Sequence, residues 1–284
     1  MERWIDLHTH SDISDGSLSP AALVRLAADS GLAAVALTDH DEVDGIAEAV
    51  AEGARCGVEV VPGVELSAQW EGECHILGYY PDTASPRLAA ALRRVRQTRR
   101  QRMEQTSELL GRAGVPVSLE EARAFAEGAM LCRAHFAKAM VQKGYVGSVR
   151  EAFARFLSPG RPGYSSIERI SPAEAVQLIR QAGGCAFAAH LYQLGLEDEA
   201  LFAFLKTLKE AGLDGVEGYY TEYTPDMQRR YQRMAARLDL RLSGGSDFHG
   251  AMKPTIALGT GHGDLRVPYR VLEQLKALHA ARQR

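Results

Sequence analysis

Nine residues of this 284-residue chain constrain it more than any other feature: His8, His10, Asp15, His40, Glu65, His75, His190, Asp247 and His249. Each stands at or just after the end of a short apolar run that reads as a strand. The chain has nine histidines, and six of them belong to this set. Imidazole and carboxylate together form the ligand set for Zn, Mn or Fe in a hydrolytic site. Nine ligands exceed the needs of one ion and suit two or three. Ions that close together serve to activate water and to hold a charged ester in line for attack.

The segments around these residues alternate. Ile5 to His8 reads as a strand. Ser19-Pro20 supplies an N-cap and a first-turn proline, opening a helix that Gly31 stops. Ala33 to Thr38 is the next strand, followed by a helix from Val43 to Arg55. Val58 to Val61 and Val64 to Ser67 read as two strands. Glu71-Gly72-Glu73 reads as a hairpin turn into Cys74 to Tyr79. From Ser85 to Leu157 strand signal vanishes and helical periodicity dominates. The alternation then resumes: a helix from Ser171-Pro172, a strand from Cys185 to Ala189, a helix from Glu197 to Glu210 and a strand from Gly215 to Glu217. A helix from Pro225 to Leu238, a strand from Leu240 to Ser243 and a last helix from Tyr269 to Ala281 complete it. Repeated strand–helix units of this kind predict a parallel sheet or barrel of about seven strands. Residues 1–84 and 161–284 form that α/β domain, and 85–160 read as a helical insertion standing over one mouth.

Composition excludes several classes. A net charge of -3 does not suit a chain that coats nucleic acid generally. No apolar stretch approaches the ~20 residues that span a bilayer, and the N-terminus leaves no room for a signal peptide before its first strand. Cys56, Cys74, Cys132 and Cys185 form no CxxC pair and read as thiols of a reducing cytoplasm. Nothing in the sequence requires a protein partner.

The local motifs carry the chemistry. In His8-Thr9-His10, residues i and i+2 of a strand point to one face, so both rings can reach one ion; the alternative is two ordinary polar residues. Asp15 follows in a turn that can fold its carboxylate back. Thr38-Asp39-His40-Asp41 is a poor strand end unless something binds there: His40 reads as a ligand, Asp39 as an orienting or capping group, and Asp41 as a residue facing substrate. Glu65 lies inside an apolar strand, where a carboxylate is costly unless paired or ligated, and it is long enough to bridge two ions. His75 and His190 each interrupt an apolar run; either alone suits a hydrogen-bonded core histidine, and together with the others they read as ligands. Asp247 and His249 repeat the i, i+2 geometry after Gly244-Gly245. Closing a barrel would bring first and last strands together, so the two motifs would face each other across one mouth.

The insertion adds a different signal. Leu88, Leu92, Val95, Met103, Thr106 and Leu110 follow one helix face. Arg99 interrupts that stripe, and Arg102 lies at its edge. An arginine there wants an anion, either an internal carboxylate or a substrate phosphate. Arg133 and His135 open another helix, whose N-terminus also favours phosphate. His262 and His279 read as surface residues.

Asp6-Leu7-His8-Thr9-His10, Ser14-Asp15-Gly16, Thr38-Asp39-His40-Asp41, Pro62-Gly63-Val64-Glu65, His75-Ile76-Leu77-Gly78-Tyr79, Ala189-His190 and Gly245-Ser246-Asp247-Phe248-His249-Gly250 resemble the polymerase and histidinol phosphatase (PHP) family over nearly the whole chain. The insertion looks like that of the 3′,5′-nucleoside bisphosphate phosphatase subgroup. The resemblance implies a distorted (β/α)7 barrel with a metal cluster at the strand C-termini. His8, His10, Glu65 and Asp247 would hold one ion. Glu65 would bridge to a second, held by His75 and His190. Asp15, His40 and His249 would form a third site. Asp15, His40, Glu65 and Asp247 would then be catalytic, with Asp41, Arg99, Arg102, Arg133 and His135 on the substrate. It also implies a 3′-phosphatase of pAp-type nucleotides and, as in some relatives, 5′→3′ cleavage of short oligonucleotides. Two departures are visible. Ala189-His190-Leu191 replaces the usual Ala-His-Pro. Asp15 stands where many relatives carry histidine, and this harder ligand favours Mn²⁺ over Zn or Fe. The rival readings are a PHP enzyme acting on histidinol phosphate, an amidohydrolase cleaving a C–N bond, and a non-catalytic metal-stabilised module.

Overall fold

The computed structural model describes residues 3–126 and 131–283. It divides into two compact units: Met1–Leu92 with Ile170–Arg284, and Arg93–Arg169.

The larger unit begins with β1 (Trp4–Asp6), α1 (Pro20–Asp29), β2 (Ala34–Leu37) and α2 (Ile46–Cys56). The Ser19 hydroxyl accepts from the Ala22 amide at 3.2 Å, which caps α1. β3 (Glu59–Ser67) is one strand, although Pro62-Gly63 reads as a break between two. The strand changes partner there: Glu59 to Pro62 run parallel to β2, and Gly63 to Ser67 run antiparallel to β4 (His75–Tyr79). Glycine is required at the crossing, because a Cβ on Gly63 would lie 2.7 Å from Thr38 Cγ2 and 2.9 Å from the Leu37 carbonyl oxygen.

From β4 the chain runs through α3 (Pro86–Arg112), whose first turns carry Leu88 and Leu92 into the larger unit's core. In the smaller unit follow α4 (Leu119–Arg123), α5 (Arg133–Gln142), α6 (Val149–Ala152) and one π-helical turn, Phe153–Leu157. Met103, Leu110, Phe136, Met140 and Leu157 form this unit's own core. The stripe on α3 is buried as its spacing predicts.

The larger unit resumes with α7 (Pro172–Gln181), β5 (Cys185–Ala188), α8 (Asp198–Glu210), β6 (Gly215–Tyr220), α9 (Pro225–Arg237), β7 (Arg241–Gly245), β8 (Val267–Pro268) and α10 (Arg270–Arg282). The sheet order is β7-β6-β5-β4-β3-β2-β1-β8. It is not wholly parallel. β4 runs against both neighbours, as the hairpin before it requires, and the two-residue β8 lies antiparallel to β1. β8 is too short to leave a sequence signal.

The ring closes beyond the ends of β1 and β7. Leu7 N donates to Gly244 O at 3.0 Å, Asp247 N to His8 O at 2.8 Å, and His10 N to Phe248 O at 2.9 Å. Gly245 permits this approach, since a Cβ there would sit 2.4 Å from His8 Cβ. The structure is therefore a nearly closed barrel with helices outside it. Tyr79, fully buried, crosses the interior and donates to Leu7 O at 3.0 Å. None of the four cysteines is in a disulfide, and Cys74 and Cys185 are buried. Among the described residues no helix is long and apolar enough to cross a membrane.

Candidate metal centre

The two closure strands bring the sequence-distant motifs together. His8 and His10 lie just past β1, and Asp247 and His249 just past β7; all four are buried. Glu65 is on β3, bridged to His40 beyond β2. His75 opens β4, and His190 follows β5. All nine expected ligands fall in the larger unit, around Glu65, Asp15 and Asp247.

Glu65 organises the centre by offering each oxygen to a different group. His8 Nε2 (3.2 Å), His10 Nε2 (3.1 Å) and His40 Nδ1 (3.2 Å) surround Oε2. His75 Nδ1 (2.9 Å) and His190 Nε2 (3.0 Å) face Oε1. The contacts around Oε2 lack hydrogen-bond geometry: that oxygen and the three nitrogens facing it are buried without hydrogen-bond partners. Buried polar atoms are ordinarily satisfied. Several orphaned lone-pair donors converging on one place are the donor set of a divalent cation, so these residues fit the metal that the ligand pattern implies. Around Asp15, His249 Nε2 lies at 3.2 Å, His10 Nδ1 at 3.6 Å and His40 Nε2 at 3.8 Å.

Three sets of donor atoms lie within 4.8 Å of one another: His8–His10–Glu65, His40–Glu65–His75, and His10–Asp15–His40–His249. His40 thus stands between groups rather than with Asp15 and His249 alone. Its Nδ1 faces Glu65 and its Nε2 faces Asp15. Asp247 Oδ1 joins the first set, 3.3 Å from His10 Nε2 and 3.6 Å from His8 Nε2.

Charge inside this buried site is balanced by alternation of sign. Burial would raise the Glu65 carboxyl, but the charged imidazoles of His8 and His75 hold it well below the usual carboxylate range. Burial likewise opposes ionisation of Asp247, and His8 and Lys253 overcome it. His40 is pushed down to about 3, chiefly by burial, so its ring is neutral and keeps a lone pair. His75 is pushed up to about 10: burial opposes this and Glu65 outweighs it.

Three further carboxylates hold these ligands in place: Asp39, which reads from sequence as an orienting or capping group, and Glu217 and Asp6, which sequence reasoning does not single out. Glu217 on β6 is fully buried; its Oε1 accepts from His8 Nδ1 at 3.0 Å and its Oε2 from the His190 amide at 2.7 Å. A donor at His8 Nδ1 leaves Nε2 with the lone pair, the orientation a ligand needs. His249 is set the same way, with Nδ1 2.8 Å from the Asp247 carbonyl. Asp6 accepts from the amides of His8, Ser246 and Gly259 and from the Ser246 hydroxyl, clamping the barrel closure. Asp39 accepts from Ser11 N, Ser11 Oγ and Ser14 Oγ, which fixes the loop carrying His10 and Asp15. This is the orienting role its position suggests.

Asp41 is fully buried at φ 54°, and its Oδ1 accepts from the Ser67 amide at 3.0 Å. This contact ties the His40 loop to β3. His279 is half-buried and stacks on Tyr80, with centroids 4.9 Å apart.

In the smaller unit, Arg102 is the arginine most deeply set into the α3 stripe, 7% exposed, whereas Arg99 is half-buried. Its Nε has no hydrogen-bond partner. Its pKa is pushed down to about 10, first by burial and then by Arg169, Arg133 and Arg99. Arg133 donates to Leu157 O at 3.0 Å and lies 5.4 Å from the Tyr164 ring centroid. His135 is buried, and its Nδ1 accepts from the Cys132 amide at 3.0 Å, closing the first turn of α5.

The PHP domain family matches residues 6–140. A 5′-3′ exoribonuclease of Haemophilus influenzae is 36% identical over 250 residues, which are 88% of this chain and 91% of that protein. This chain belongs to the PHP family. A second relative, a 3′,5′-nucleoside bisphosphate phosphatase of Chromobacterium violaceum, is 37% identical over 86% of this chain and 87% of its own. A solved amidohydrolase structure from Chromobacterium violaceum, with sulfate bound, superposes with a TM-score of 0.81 at 34% identity, covering 96% of both chains. The PHP fold, the barrel and the divalent-metal donor set thus agree with one another.

Proposed function

We propose that this PHP protein is a phosphatase that removes the 3′-phosphate from nucleoside 3′,5′-bisphosphates, converting pAp to AMP and phosphate, and that it trims short oligonucleotides from the 5′ end. The convergence of His8, His10 and His40 on one oxygen of Glu65, all unpartnered, carries the reading. His8, His10, Glu65 and Asp247 would hold one divalent ion, Glu65, His75 and His190 a second, and Asp15, His40 and His249 a third. Bound there, the ions supply Lewis-acid activation of water and neutralise charge on a phosphoryl group. The carboxylate of Asp15, a harder ligand than the histidine of many relatives, favours Mn²⁺.

The protein's own part is positioning and charge. Glu217 and the Asp247 carbonyl fix the ring tautomers of His8 and His249. Asp15, His40, Glu65 and Asp247 are the proposed catalytic residues. Arg99, Arg102, Arg133 and His135, in the smaller unit, are the proposed holders of substrate phosphate. A buried arginine whose strongest charged neighbours are arginines is suited to a dianion. The names of the two relatives, one acting on a nucleoside bisphosphate and one on RNA, agree with a nucleotide polyanion.

The test is phosphate release from pAp beside 5′-AMP, 3′-AMP and histidinol phosphate, with added Mn²⁺ and with chelator. Metal-dependent release from pAp that leaves 5′-AMP intact is expected. Faster release from histidinol phosphate, or no release from pAp, would overturn the substrate assignment.

A further inference from the structure

Tyr220 and Lys253 lie against the metal centre without belonging to its donor set. Asp247 presents its two carboxylate oxygens to different company. Oδ1 faces imidazoles: His10 Nε2 at 3.3 Å, His249 Nδ1 at 3.4 Å and His8 Nε2 at 3.6 Å. Oδ2 faces two donors, the Tyr220 hydroxyl at 2.9 Å and the Lys253 ammonium at 2.7 Å. Tyr220 ends β6 and is buried; Lys253 follows the short helical turn after His249 and is 39% exposed. Two separate elements therefore deliver donors to one oxygen of a residue that itself sits at φ 57°. A left-handed backbone at aspartate is costly and persists where the surroundings fix it.

We propose that Tyr220 and Lys253 are positioning residues that reserve Asp247 as a one-oxygen metal ligand. The inference rests on the metal-centre reading above. A carboxylate free at both oxygens can chelate and take two coordination positions. One whose second oxygen is already satisfied takes one position and leaves the other open, as a hydrolytic site requires. Partners of this kind outside the ligand set orient the ligand and tune the centre.

The test uses the full chain loaded with Co²⁺, whose visible absorption reports coordination number. Lys253→Met and Tyr220→Phe are each expected to bind wild-type amounts of cobalt but to absorb more weakly, as Asp247 gains a second metal bond. With pAp, kcat should fall by about 10–100-fold while KM changes by less than about threefold. Lys253→Arg, which keeps the donor, should restore both spectrum and kcat. Unchanged cobalt spectra in both variants would overturn the inference. So would a fall in kcat without a spectral change, which would place these residues on the substrate instead. If wild-type protein turns over no nucleotide, the substrate reading falls, and the cobalt spectra still decide the ligand geometry.

Discussion

The metal centre and the arginine group on α3 handle buried charge in opposite ways. Around Glu65, imidazoles and carboxylates alternate, and each carboxylate has several imidazoles to hold it ionised. Around Arg102, the neighbouring charges have its own sign, and its pKa falls. The first group is a site for cations built by pairing. The second is kept charged at neutral pH at a cost to stability, which an arriving anion would remove on the function proposed above. A buried like-charged group is poor structure and good recognition.

The widest separation should come from replacing the central carboxylates. Glu65→Gln or Asp247→Asn is expected to lower kcat on pAp by on the order of 10⁴-fold, as for a residue of a catalytic unit. Steady-state phosphate release with saturating Mn²⁺ measures it, and a loss under tenfold would deny these residues their role. Glu217→Gln should weaken metal binding by about 10–100-fold while the chain stays folded, read by chelator competition. The side-chain amide has one acceptor oxygen for two donors, so either His8 Nδ1 or the His190 backbone amide loses its acceptor.

Arg102→Met sharpens the contrast, because it should improve one property and harm another. KM for pAp should rise by about 10–100-fold, the loss of a charged hydrogen bond. Hydrolysis of a minimal aryl phosphate should barely change. The melting temperature should rise by ~2–4 °C as a buried cation is removed. A lower melting temperature would mean that Arg102 is paired as a structural arginine.

The smallest effect is in pH dependence. His40 titrates at about 3 in the folded metal-free chain, below its ordinary 6.5. Between those values the unfolded chain binds the extra proton, so the contribution of His40 is complete above pH 6.5 and lost as pH falls towards 3. His75, raised to about 10, acts the other way: its contribution is complete below pH 6.5 and lost as pH rises towards 10. Urea unfolding in chelator should show a shallower acid limb for His40→Gln than for wild type. Identical limbs would mean that His40 is not buried neutral.

The clustering of the nine candidate ligands was legible because their residue types are costly at strand ends without a partner. Helix caps at Ser19 and Ser171 were legible for the same local reason, an oxygen placed to meet a free amide. What escaped depends on distant contacts. Pro62-Gly63 reads as a break between two strands, yet β3 passes through it because Gly63 crosses Thr38 without a Cβ. Arg102 looked peripheral on an ideal helical wheel, and packing against neighbours of no fixed sequence spacing buried it. Glu217 could have been found by the rule that found Glu65, since both are carboxylates within apolar strands. Lys253 offered no such signal: nothing in its neighbourhood shows that a flexible side chain reaches Asp247.

The clamp at Asp6 has a consequence for biogenesis. Its carboxylate grips Ser246, 240 positions along the chain, and through that grip the His8 and Asp247 strands are held side by side. Three members of the first proposed ligand set, His8, His10 and Glu65, are made early in synthesis, and the fourth, Asp247, comes almost at the end. A chain emerging from a ribosome lacks Asp247 and His249 until nearly its end, so the full donor set is complete only after β7. Contacts of such long sequence separation also slow folding. A chain stopped just before β7 would keep His8, His10, His40, Glu65 and His75 but lose Asp247 and His249, and with them the closure that holds the motifs side by side.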